Sequence, residues 1–128
     1  MPTQDTVLIV EDMVEVRETL SEGLSFHGFR VITAASVQEA EEALQRLGVA
    51  EIDLVIADVN LTPAPRAHEG YALYQRWSTL YPAFRFILIS GDPRNQALPD
   101  IRAGAVRFLV KPFGIDALRE VVREVLGR

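Results

Sequence analysis

The chain has 128 residues, 48% of them hydrophobic and 24% charged, with a formal net charge of −5. That length supports one domain with its own core, and the acidic balance argues against nucleic acid as a direct partner. There is no cysteine, which removes disulfides, thiol nucleophiles and thiolate metal sites, and neither a signal peptide nor a membrane-spanning run is visible, so a cytoplasmic location is expected.

The first apolar run, TVLIV at 6–10, is followed at once by Glu11 and Asp12. Met13, Val16, Leu20 and Leu24 then recur at three and four residues, predicting a helix that ends near Gly28. FRVIT at 29–33 is the second run. Ser36 with Glu39 forms a capping-box signature, and Val37, Ala40, Leu44 and Leu47 continue the stripe of a second helix. DLVIA at 53–57 stops at Asp58, a carboxylate that is costly to bury without a partner. The stretch 62–69, with Pro63, Pro65, Arg66 and His68, reads as a tolerated surface insertion.

Gly70 to Leu80 is predicted helical, with Leu73, Tyr74, Trp77 and Leu80 packed as core. RFILIS at 85–90 ends on Ser90, with Asp92 two residues on. Pro99 suits a first helical position, so a short fourth helix is expected from near Pro99 to Gly104. RFLV at 107–110 leads into Lys111, the one lysine among 13 basic residues. Ile115, Leu118, Val121, Val122 and Val125 mark a final amphipathic helix.

Strand alternating with helix five times predicts an α/β fold with a single doubly wound, flavodoxin-like parallel sheet of order 2-1-3-4-5. Ligands in such sheets bind beyond the carboxyl ends of the strands, at the switch point between strands one and three. Glu11, Asp12, Asp58, Ser90 and Lys111 all fall at that edge. Three crowded carboxylates repel one another, and a hard divalent cation such as Mg2+ relieves the conflict. His27 and His68 lie outside the cluster, which disfavours zinc. A carboxylate nucleophile, a metal, an ammonium and a hydroxyl together fit phosphoryl transfer through an acyl phosphate. No Gly-rich phosphate loop is present to hold a nucleotide.

The set VEDM, IADVNL, ISGD and LVKPF, in order from about Thr6 to Leu126, resembles a response-regulator receiver domain of bacterial two-component signalling. The resemblance implies that Asp58 accepts phosphate from a phosphohistidine of a histidine kinase or phosphotransfer protein. It implies a Mg2+ site of Glu11, Asp12, Asp58 and the backbone carbonyl of Asn60, with Lys111 and Ser90 as phosphoryl ligands. Ser90 and Phe108 stand at the family's switch positions, Lys111–Pro112 at its cis peptide, and Asn60 and Asp92 where phosphoryl lifetime is tuned. Phosphorylation would then alter the surface of helix four, strand five and helix five for an unknown downstream protein or for a homodimer.

The long segment after Asp58 and the shortened fourth helix depart from the family pattern. A single receiver domain over 1–128 is expected, with no output domain. It is then a stand-alone regulator or a receiver from a longer protein, a signalling switch rather than an enzyme. DVNLT at 58–62 also resembles the start of haloacid-dehalogenase-type phosphatases, but Asn60 replaces their acid and an amide cannot relay a proton. An FMN-binding flavodoxin would meet repulsion from the three acids. A receiver-like binding module that works without phosphorylation is the remaining alternative.

Overall fold

The computed structural model describes residues 4–61 and 68–128. Five strands, β1 (Thr6–Val10), β2 (Arg30–Ala34), β3 (Leu54–Asp58), β4 (Phe86–Ser90) and β5 (Arg107–Val110), form one parallel sheet ordered β2-β1-β3-β4-β5. The helices are α1 (Val14–Phe26), α2 (Val37–Leu47), α3 (Glu69–Leu80), α4 (Pro99–Arg102) and α5 (Ile115–Leu126).

Each interior strand is apolar on both faces, and its alternate residues divide between two cores. Val7, Ile9, Leu54, Ile56, Ile87 and Ile89 pack with Leu20 and Leu24 of α1 and with Leu118 and Val122 of α5. Leu8, Val10, Val55, Ala57 and Leu88 pack with Ala40 and Leu44 of α2 and with Leu73 and Trp77 of α3. Burying each large side chain of this kind contributes about 1.5–3 kcal/mol relative to exposure. The sheet is therefore clamped between α1 and α5 on one side and α2, α3 and α4 on the other.

Local signals explain most boundaries. Ser36 caps α2 by accepting a hydrogen bond from Glu39 N at 3.1 Å, and Glu39 Oε1 accepts one from Ala35 N at 3.0 Å. β2 lies one residue later than expected, because Thr6 pairs with Arg30 and Arg30 N donates to Asp5 O. Pro99 opens an α4 of only four residues, and a 3-10 turn over Pro93–Ala97 precedes it. Two predicted core residues are exposed instead. Met13 is the N-cap of α1 rather than part of its stripe, and Leu80 lies on the outer face at the last turn of α3.

Two tyrosines fasten α4 to α3. Tyr74 OH donates to Asp100 Oδ2 at 2.9 Å, and Asp100 N donates to Tyr71 OH at 3.0 Å. Burial and the Asp100 carboxylate push the Tyr74 phenol up to about 12, so it remains a donor at any working pH. Of the segment after Asp58, positions 62–67 lie outside the described residues. His68 and Glu69 are described, and His68 holds a left-handed conformation (φ 43°) as it leads into α3.

Candidate functional site

Every residue expected at the strand edge is found there, and the alternation of side chains explains who meets whom. Glu11 continues the series Val7 and Ile9, Asp58 continues Leu54 and Ile56, and Lys111 continues Leu109. Those three side chains share the face of α1 and α5. Lys111 Nζ donates to Glu11 Oε2 at 2.8 Å and to Asp58 Oδ2 at 2.5 Å, joining residues 100 and 53 positions apart. Glu11 is 0% exposed and Asp58 5%, so neither carboxylate is screened well by solvent.

Asp12 completes the set. Carboxylate oxygens of Glu11, Asp12 and Asp58 lie within 4.8 Å of one another. Burial pushes the Glu11 carboxyl up to about 7; Lys111 opposes the shift and the Asp58 charge adds to it. For Lys111, burial favours the neutral amine, but the bonds to Asp58 and Glu11 outweigh it and hold the ammonium above its usual range. With Glu11 deprotonated, three carboxylates against one ammonium leave the pocket short of two positive charges. Asn60 Oδ1 is also buried and finds no donor among the described residues. A hard divalent cation with oxygen ligands and retained waters matches this donor set.

Backbone groups hold the acids in place. Met13 N donates to Glu11 Oε1 at 3.1 Å, and Asn60 N donates to Asp58 Oδ1 at 2.9 Å. Arg17, which the sequence did not single out, donates from Nη1 to the carbonyls of Glu11 and Asp12 at 2.8 and 3.4 Å. Gly70, taken only as a helical residue, lets α3 start against the backbone of Asp58, and its N–H donates to Val59 O at 2.9 Å. Lys111–Pro112 is cis, as expected.

Ser90 and Phe108 belong to the other face. Ser90 continues the series Phe86 and Leu88, and Phe108 packs half-buried with Leu98 and Ile101 against the core on the α3 side. Phe108 also lines an open hollow of about 480 Å³ with Gln96, Ile101, Arg102 and Val110. Ser90 is 1% exposed, and its hydroxyl makes no hydrogen bond to Asp58 or Lys111 but turns to the loop after β4. Asp92 does not reach the acids either. Its carboxylate accepts from Arg94 N and Nε and pairs with Arg94 Nη2 at 2.9 Å, and that partner holds it below the usual carboxylate range.

The model of the response regulator receiver domain family matches residues 7–123. The chain belongs to that family. This receiver domain is 36% identical over 124 residues to the response regulator protein FleR of Pseudomonas aeruginosa, covering 95% of the chain and 25% of that protein. It is 32% identical to the response regulator MprA of Mycolicibacterium vanbaalenii, covering 95% of the chain and 50% of the relative. The receiver domain thus spans a quarter to a half of these curated relatives. Among solved structures, a response regulator from Thermotoga maritima matches with a TM-score of 0.80 and 28% identity, over 98% of this chain and all of that one. The chemotaxis protein CheY4 of Vibrio cholerae matches with a TM-score of 0.79 and 27% identity, over 96% of this chain and 99% of that one. Two-component signalling is the setting of this family, and phosphorylation and an acidic Mg2+ pocket are typical of it. No described helix is long and apolar enough to cross a membrane.

Proposed function

We propose that this receiver domain is a phosphoacceptor, with Asp58 as the residue that takes phosphate from a phosphohistidine of a histidine kinase or phosphotransfer protein. An Asp58 carboxylate oxygen attacks phosphorus, the O–P bond forms as the N–P bond breaks, and the imidazole keeps the bonding electron pair. Glu11, Asp12, Asp58 and the carbonyl of Asn60 would hold Mg2+, which would supply charge neutralisation for the phosphoryl oxygens. Lys111 fixes the position of the Asp58 carboxylate through its contact with Oδ2, and its ammonium lies where an Asp58-bound phosphoryl group would need a counter-charge. The observation that carries this reading is the Lys111 bridge between two nearly inaccessible acids that share their pocket with Asp12.

The output surface is that of α4, β5 and α5, with Ser90 and Phe108 on the α4 side of the sheet. Phosphate on Asp58 changes that surface only as far as Ser90 and its loop bind the phosphorylated and free states differently. The downstream partner is a protein or a second copy of the chain, and the domain works as a switch rather than as an enzyme acting on outside substrates.

The test is phosphate incorporation from a small acyl-phosphate donor, read on a phosphate-retarding gel. A Mg2+-dependent shift is expected, abolished by chelator and by Asp58→Asn. No shift in folded wild-type protein with Mg2+ would overturn this reading and favour a binding module that acts without phosphorylation.

A further inference from the structure

The Ser90 hydroxyl is fully committed, and to the wrong side for a phosphoryl ligand. Its oxygen accepts from Asn95 Nδ2 at 2.7 Å and from Asp92 N at 3.0 Å, and its hydrogen points at Asp92 O at 3.4 Å. All three contacts lie in the loop between β4 and α4. The side chains of Asp58, Glu11 and Lys111 use the opposite face of the sheet and take none of the Ser90 hydroxyl's hydrogen bonds. The shortest bond comes from Asn95, which is itself only 5% exposed, so solvent cannot easily replace it. Asn95 sits in the 3-10 turn Pro93–Ala97 that the shortened α4 leaves in place of further helix.

We propose that Asn95 is a positioning residue that latches Ser90 in the unphosphorylated state, so that a phosphoryl group on Asp58 must win the Ser90 hydroxyl away from it. This rests on the phosphoacceptor reading. Both lone pairs of the hydroxyl oxygen are occupied by donors in the latched state. Turning the hydroxyl towards the phosphoryl oxygens gives up the Asn95 bond, so the latch weights the equilibrium against the switched state. One net hydrogen bond corresponds to roughly a five-fold change in that equilibrium.

The sign of the effect depends on the chemistry at position 95. Asn95→Ala removes the donor and frees Ser90. Asn95→Asp keeps the shape but presents an acceptor, which draws in the Ser90 O–H itself and tightens the hold. The two substitutions are therefore predicted to act in opposite directions, which a loss of packing alone would not produce.

The experiment measures the phosphorylated fraction at saturating acyl phosphate, and its decay after donor removal, for wild type, Asn95→Ala and Asn95→Asp. Each is repeated with Ser90→Ala, and thermal melts confirm that every variant is folded. Asn95→Ala should raise the phosphorylated fraction or slow its decay by about five-fold, the weight of one net hydrogen bond. Asn95→Asp should do the reverse, and both effects should vanish with Ser90→Ala. Equal or same-direction effects, or effects that persist without the Ser90 hydroxyl, overturn the latch. Wild type that takes phosphate while all position-95 variants match it sinks the latch alone; wild type that takes none sinks the phosphoacceptor reading and the latch with it.

Discussion

A methyl group added at Gly70 would strike the backbone of the phosphoacceptor. A Cβ there would lie 1.6 Å from the Asp58 carbonyl oxygen, 2.7 Å from its carbon and 3.3 Å from Val59 Cα. Real Cβ atoms keep at least 3.0 Å, so helix and strand must part by about 1.4 Å. The obstacle is backbone on both sides and cannot rotate away. Separation also stretches the bond from Gly70 N to Val59 O, now 2.9 Å. Overpacking of this kind costs about 1–3 kcal/mol and the bond about 1 kcal/mol, while alanine's better helix propensity returns up to about 1 kcal/mol. Gly70→Ala should therefore lose about 1–4 kcal/mol, or roughly 4–15 °C in Tm for a domain of this size. The same shift displaces the reacting carboxylate, and a misplacement near 1 Å can slow phosphate incorporation on the order of 100-fold.

Gly23→Ala serves as the control. Its Cβ meets the Ile115 side chain, with Cδ1 at 2.3 Å and Cγ1 at 2.4 Å, and a side chain can turn aside. That variant should stay within about 1 kcal/mol of wild type and take phosphate normally, since helix propensity offsets the repacking. Thermal melts and the phosphate gel decide. If Gly70→Ala melts with wild type and takes phosphate at the wild-type rate, the close approach of α3 to Asp58 does not exist as described.

The remaining predictions concern protons and α4. The Glu11 carboxyl is raised from 4.5 to about 7, so between those values the folded protein holds a proton the unfolded chain has released. Its contribution is complete below pH 4.5 and is lost as pH rises through about 7, a difference on the order of 3 kcal/mol. Metal-free wild type should accordingly lose stability relative to Glu11→Gln between pH 5 and 7.5 in thermal melts, and Mg2+, which takes the proton's place, should bind more tightly across the same range. A Mg2+ affinity independent of pH there would refute this account. Tyr74→Phe removes the bond to Asp100 and should cost about 1 kcal/mol, with faster amide exchange over α4 than over α3. Uniform exchange would show that the tyrosines do not anchor α4.

The sheet was legible because each apolar run stops abruptly at a polar residue, and that stop is the strand's carboxyl end. Asp58, Ser90 and Lys111 all announced themselves that way. The short α4 was legible from Pro99, whose missing N–H confines it to a first turn. The start of β2 was not, since its register depends on Asp5 and Thr6 rather than on its own composition. Met13 fitted the helical period of α1, yet a period does not say which residue becomes the cap. Arg17, Gly70 and Asn95 escaped notice for a common reason: each acts on a group brought close by the chain's path. Arg17 and Gly70 meet backbone, which has no sequence signature, and Asn95 reaches Ser90 only because a 3-10 turn stands where further helix would fit the family. The division of Ser90 from Asp58 across the sheet was in principle readable from strand parity, once the strand bounds were known.

Having its single lysine inside the site gives this protein an unusual reactivity towards amine reagents. The Lys111 amine is 16% exposed and held protonated by two acids, so it is a poor nucleophile at neutral pH. An activated ester or aldehyde used for labelling should bypass every side chain, leaving the switch untouched. Once Asp58 loses its charge, that amine releases protons more readily and becomes the one side chain able to couple. The stoichiometry of such a label, read as a single mass increment, would count how many molecules in a population have lost that charge.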